Sequence, residues 1–216
     1  MTELRLDLVA SPAMPATAPL STLRGWPWPG LQPRAYRTIL ADPPWYFRLH
    51  SEAGENKSPQ NHYACMDLAA IAALPVAQLA HPAGCALVMW ATAPMLPAAL
   101  NVLQAWGFTF KTAGAWAKRS SSDGAWAFGT GYLYRSAMEP WLVGTIGHVS
   151  PLNRSTRNLL VAATREHSRK PDAMRLDLQA LFPGPRCELF AREAAPGWDA
   201  WGNETEKFNP TIVTEG

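Results

Sequence analysis

The sequence predicts an α/β fold, a mixed and mostly parallel sheet with helices on both faces. Three observations carry that reading. Short apolar runs of strand length alternate with helix-length amphipathic segments. The runs YRTILA (36–41) and CALVMWA (85–91) lack polar alternation, as strands covered on both faces do. The 216 residues and 48% hydrophobic content suffice for one domain with a full core.

Residues 1–35, with six prolines, read as an irregular N-terminal arm that Trp26 and Trp28 could anchor to the core. Residues 36–41 form a buried strand ending in Asp42-Pro43-Pro44-Trp45. Residues 48–64 are polar and read as a long loop, of the kind that usually serves function. MDLAAIAALPVAQLA (66–80) predicts a helix capped by Asp67 and bent or ended by Pro75. Residues 85–91 give a strand, and 94–106 a helix with proline near its start and Gly107 at its end.

FTFKTAGAWAK (108–118) is an alternating strand interrupted by glycine, and 120–131 is a Ser/Gly-rich stretch. Residues 137–143 predict a strand and 145–170 a basic loop. Residues 171–182 form a helix opened by Pro171 and closed by Pro183-Gly184, and 186–191 the last strand. A flexible tail is expected over 205–216, and 36–204 reads as the folded domain.

The remaining composition narrows the classes. No apolar run is long enough to span a membrane, and the first residues read as no signal peptide. Cys65, Cys85 and Cys187 are scattered and odd in number, so neither a disulfide framework nor a metal site is expected, and a reduced, cytoplasmic setting fits. The net charge of +2 is unevenly spread. Arg154, Arg157, Arg165, Arg169 and Lys170 face one acid in 151–170; Lys111, Lys118, Arg119 and Arg135 face one in 111–135. Such segments suit phosphates, or are merely solvated loops.

The strand end 42–45 has its own chemistry. Two prolines fix the exit geometry, remove two N–H donors and keep two carbonyls. Asp42 and those carbonyls form an acceptor edge beside the flat ring of Trp45, with Tyr46 next to it. Acceptors plus an aromatic face suit a planar group bearing an NH2, the exocyclic amine of a nucleobase. Hydrogen bonding at that amine turns its lone pair outward and makes the nitrogen nucleophilic. The competing reading is a stiffened strand end whose tryptophan packs into the core.

DPPW at a strand end resembles the catalytic motif of S-adenosylmethionine-dependent methyltransferases of adenine N6, and the wider match is to the MT-A70 family. LVMWATAPMLPAALNVLQAWGFTFKT (87–112), GTGYLYRSAMEPWLVGTIG (129–147), REHSRKPD (165–172) and CELFARE…GWDAWGNE (187–204) agree in order and rough spacing. The resemblance implies a Rossmann-like methyltransferase sandwich in which the catalytic motif precedes much of the cofactor site, a permuted order. It implies that Asp42 orients the target amine near the methionine end of the cofactor, and that Pro43, Pro44 and Trp45 complete the pocket wall. By the same resemblance Lys170 meets the cofactor carboxylate, Glu188 and Arg192 the ribose and its surroundings, and Asn203 and Glu204 the ribose or amino-acid end.

Glu188, inside an apolar strand, needs a partner, and Arg192 is the candidate for a purely structural pair. Glu139 is a second buried acid, placed with Tyr46, His62 and Tyr63 on the substrate side. Arg154 and Arg157 are expected to clamp phosphates. The partner is then nucleic acid, with DNA favoured over RNA because no RNA-binding module accompanies the core. A homo-oligomer stays open. The rivals are an RNA methylase, a catalytically silent nucleic-acid-binding partner, and a methylase of protein or small-molecule amines. All four residues of DPPW stand, which argues against the silent partner.

Overall fold

A computed structural model describes residues 26–45, 66–129, 131, 133–166 and 169–208. Tyr46, His62 and Tyr63 lie outside the described residues.

Seven strands form one sheet: β1 (Thr38–Ala41), β2 (Cys85–Trp90), β3 (Thr109–Arg119), β4 (Met138–Ile146), β5 (Leu159–Ala163), β6 (Arg186–Leu189) and β7 (Asp199–Trp201). Their order is β5-β3-β4-β2-β1-β6-β7. β1 pairs in parallel with β2 and β6, β6 with β7, and β3 with β5. Only β4 runs against its neighbours. The helices α1 (Leu68–Ala72), α2 (Leu96–Ala105) and α3 (Ala173–Leu181) connect them. None of the described helices is long and apolar enough to cross a membrane.

The two central strands explain their own sequence. Every residue of β1 and β2 is buried. Successive side chains point to opposite faces, so Ile39, Ala41, Leu87 and Met89 join α2 in one core, while Leu40, Ala86, Val88 and Trp90 join α3 in the other. A continuous apolar run is what a strand covered on both sides requires. Trp28 belongs to the first core, fully buried and edge-on to Trp201 at 4.7 Å.

Several expectations need correction. The helix over 66–80 is one short turn-and-a-half, α1, followed by a separate 3-10 turn at Val76–Leu79, because Pro75 cannot continue the ladder. Asp67 stands at the N-cap but its side chain makes no capping bond. β4 runs on to Ile146, so the basic loop begins later. That loop also contains β5, an edge strand of alternating burial flanked by arginines, which hides its periodicity. β7 is only three residues long, too short for a pattern to register.

Two glycines are fixed by close approach. A Cβ on Gly114 would lie 2.3 Å from the Trp141 ring and 2.6 Å from the Asn158 carbonyl oxygen. This is the interruption seen in the β3 pattern. A Cβ on Gly202 would lie 2.4 Å from the Ala191 carbonyl oxygen, so only glycine lets the chain leaving β7 touch the chain leaving β6.

Gly114→Ala is expected to lower stability by ~1–3 kcal/mol, since both obstacles belong to packed structure. Urea denaturation measures this, and an unchanged midpoint would show that Trp141 gives way freely.

Candidate active site

The site is set by topology. From β1 the chain crosses to β2 on one side, while β6 and β7 lie on the other. The carboxyl ends of β1 and β6 therefore flank a topological switch point, where open α/β sheets bind ligands. Asp42 follows β1 there, and Phe190 to Glu193 follow β6. A cleft between them is lined by Asp42, Lys170, Glu188, Phe190, Arg192 and Phe208, among others.

The DPPW stretch is held from both sides. The Asp42 N–H donates to the Leu189 carbonyl at 3.3 Å, and the Met66 N–H donates to the Pro44 carbonyl at 3.2 Å. Pro43 cannot extend the ladder and its carbonyl accepts from the Trp45 N–H at 2.8 Å. Trp45 itself is 4% exposed, packs in the first core, and donates its ring N–H to the Trp90 carbonyl at 3.0 Å. The expected stacking face is thus turned into the protein, and Trp45 locks the pocket wall from behind. The ring chose burial because a flat apolar surface beside β2 gains more from the core than from water.

The carboxylate of Asp42 keeps its place in the cleft. The Lys170 ammonium donates to both its oxygens, at 3.0 and 2.9 Å. It also meets Glu139 at 2.9 Å, and Glu139 meets Lys118 at 2.9 Å. Side chains of Lys170 and Asp42 are only 14% and 19% exposed. Burial works against the Lys170 charge, yet Asp42 and Glu139 outweigh it and raise its pKa above the ordinary lysine value. Burial likewise works against Glu139, but Lys170 and Lys118 hold its pKa below the usual carboxylate range.

An ammonium has three donors. Those of Lys170 go to the two oxygens of Asp42 and one of Glu139. Lys170, expected to meet a cofactor carboxylate, bridges two acids and also lines the cleft. Glu139, expected on the substrate side, is the far anchor of that bridge.

A second cluster lies across the cleft. Arg175, on α3, grips Glu188 through Nε at 2.7 Å and a terminal nitrogen at 3.2 Å, and meets Glu193 at 3.0 Å. The partner of Glu188 is therefore Arg175 and not Arg192. Burial pushes the Glu188 carboxyl up despite Arg175. Arg169 joins Glu193 and Glu166, and its guanidinium lies 4.7 Å over the Phe208 ring. Phe190, directly after β6, sits at φ 62°, a left-handed conformation that costs a non-glycine residue energy and marks a constrained turn.

The WGNE segment is nearby but outside the lining: Asn203 is exposed, and Glu204 pairs with Lys207 at 2.6 Å and more loosely with Arg192 at 3.8 Å. Arg154 and Arg157 are not brought to Asp42. They precede β5, on a loop tied by Leu152 and Asn153 to the last carbonyls of α3, whereas Lys170 precedes its first turn. The helix separates them.

Sequence reasoning missed Arg175, Glu193, Lys118 and Phe208. Glu188 and Glu193 were visible as acids in an apolar setting. A demand for a cation on the facing helix would have found Arg175.

Comparison with known proteins identifies the family. The family model described as MT-A70 matches residues 36–204. The Type II methyltransferase M.MunI of Mycoplasma sp is 30% identical over 209 residues, covering 88% of this chain and 86% of that protein. The N(6)-adenine-specific methyltransferase METTL4 of Mus musculus is 27% identical over 81% of this chain. The N6-methyladenosine RNA methyltransferase MTA1 of Cryphonectria parasitica is 27% identical over 79% of it. The chain spans 38% of the length of METTL4 and 52% of that of MTA1. With the DPPW strand end, the switch-point cleft and a family match from the first strand to the WGNE segment, the chain belongs to the MT-A70 family of adenine-N6 methyltransferases.

Proposed function

We propose that the protein transfers a methyl group from S-adenosylmethionine to the N6 amine of adenine in nucleic acid, with DNA the favoured substrate. The observation that carries this reading is the Asp42 carboxylate, held at the mouth of the switch-point cleft by Lys170.

The cleft suits such a cofactor by its donor set. Glu188 offers an acceptor for a ribose diol, Arg192 a cation for a carboxylate, and Phe190, Leu40 and Met174 apolar surface. It is narrow, with about 410 Å³ of void that includes the open mouth. Phe208 and Arg169 fill part of it, so binding requires them to shift. When bound, the cofactor supplies a methyl group on a sulfonium, whose sulfur keeps the electron pair of the broken C–S bond.

The chain's own residues do the rest. Asp42 accepts a hydrogen bond from the adenine amine and turns its lone pair toward the methyl group; as the N–C bond forms, the surplus amine proton leaves to solvent. Lys170 donates to both oxygens of Asp42 and so fixes the direction in which the carboxylate faces. Glu139 and Lys118 fix Lys170. Such alignment and polarisation are the main contributions an enzyme makes to a reaction of this type. In a duplex the adenine must first leave the stack.

DNA is favoured because the type II methyltransferase is 30% identical to this chain, against 27% for the relative named for RNA. RNA is the second reading, and the same match to that relative supports it.

Incubation with labelled S-adenosylmethionine and matched single-stranded DNA, duplex DNA and RNA, followed by digestion, is expected to yield N6-methyladenine from DNA. Label in RNA alone would overturn the DNA preference, and none in any substrate would overturn the reading. Asp42→Asn is expected to lower the turnover rate by about 100-fold or more while nucleic-acid affinity holds. A normal rate would remove Asp42 from the mechanism. Lys118→Met takes one of the two cations from Glu139, so the Glu139 pKa rises. The acid limb of the rate–pH profile should then move to higher pH, and an unmoved limb would show that Glu139 does not govern the site.

A further inference from the structure

The stretch joining β3 to β4 projects four large apolar side chains into solvent. Trp126 is 53% exposed, Phe128 59%, Leu133 94% and Tyr134 89%. An exposed apolar group of this size marks an interaction surface. Two of the rings carry a cation on one face. The Arg119 guanidinium lies 3.5 Å from the Trp126 ring centre and that of Arg135 lies 5.1 Å from the Phe128 ring centre. Neither guanidinium is paired with a carboxylate among the described residues. Asp123, the one acid of the stretch, accepts a bond from the Ala125 N–H in its own turn.

The backbone holds this group in place. Arg119 and Trp126 face each other in an antiparallel bridge. The Ala127 N–H donates to the Lys118 carbonyl, and the Lys118 N–H to the Ala137 carbonyl, both at 2.9 Å. The Gly129 N–H donates to the Ser136 carbonyl at 2.9 Å. The rings therefore stand on an extension of the β3–β4 hairpin. They also stand at the catalytic end of the sheet. Register across β1, β2, β4 and β3 places Gly114 level with the exit of β1, so Arg119 lies beyond Asp42 in the same direction. The lateral offset is three strand spacings, about 14 Å. A nucleic-acid strand covers that in a few nucleotides.

The geometry points to this loop as a stacking platform for unpaired bases flanking the target adenine, with Arg119 and Arg135 meeting the adjacent phosphates. The inference rests on the reading of the chain as a nucleic-acid methyltransferase and names the strand state that it holds. Rings backed by guanidinium offer π-faces to bases of any sequence. A closed duplex presents edges and phosphates but no base faces. The platform thus selects single strands, or duplex already opened around the target. Charge decides against a protein partner as the occupant: the Arg119 guanidinium donates only to the Gly124 carbonyl at 3.1 Å, so among the described residues two cations beside the rings lack a carboxylate and match a polyanion.

The test is fluorescence anisotropy of a labelled twelve-nucleotide single strand and of the same strand in duplex, without cofactor, at fixed low salt. The wild type is expected to bind the single strand more tightly. The double variant Trp126→Ala, Phe128→Ala should weaken single-strand binding about tenfold or more and leave duplex binding nearly unchanged. Trp126→Phe with Phe128→Tyr, which keeps both rings, should retain the affinity. Equal single-strand affinity in the double alanine variant would overturn the proposal. So would sedimentation of the wild type as a dimer that the double alanine variant disperses, since the rings would then cover a second copy of the chain. Binding here needs no methyl transfer. Ring-dependent binding without any methylated product would therefore sink the methyltransferase reading alone, and methylation with ring-independent binding would sink the platform alone.

Discussion

A buried ammonium shared by two carboxylates organises the catalytic end of this protein. Lys170 spans Asp42, at the end of β1, and Glu139, at the start of β4, and so ties together two strands separated by β2. Each group alone would be costly to bury. Together, with Lys118 closing the chain, they satisfy one another and hold Asp42 at the lip of the cleft. The second ion cluster, Arg175 with Glu188 and Glu193, does the same across the cleft for the exit of β6. Under the proposed function, stability and activity draw on the same contacts: the acids that would hydrogen-bond a ligand are tolerated because cations from α3 and its approach hold them.

The sheet topology supplies the frame. Parallel strands β1 and β6 must part at their carboxyl ends, because their connections leave in opposite directions along the sheet. Residues placed there, Asp42 and Phe190 among them, line the cleft. Asp42-Pro43-Pro44 ends its strand sharply because prolines cannot pair, and Trp45 then anchors the exit by binding the carbonyl of Trp90. The motif is thus half chemistry and half mechanical support, and the tryptophan belongs to the second half.

Much of this was legible in the sequence, and the failures have physical causes. The central strands announced themselves as unbroken apolar runs, since both faces are covered. The edge strands β5 and β7 did not: one is half exposed among arginines, and the other is three residues long. Asp42 was readable because an acid between an apolar run and two prolines has few structural uses. Trp45 was misjudged because sequence gives proximity but not the direction of a ring. Arg192 was offered to Glu188 from nearness along the chain, when the true partner, Arg175, lies thirteen residues earlier on a helix that only the fold brings over. Arg154 and Arg157 were grouped with Lys170 by local charge, and an unrecognised strand and the length of α3 set them apart.

The most direct measurement is a crystal structure of the protein with S-adenosylhomocysteine and an adenine-containing single strand. The account predicts the N6 amine within hydrogen-bonding distance of the Asp42 carboxylate, the cofactor sulfur facing it, and Phe208 displaced from the cleft. An adenine bound with its amine away from Asp42, or a cofactor seated elsewhere than between the ends of β1 and β6, would contradict it.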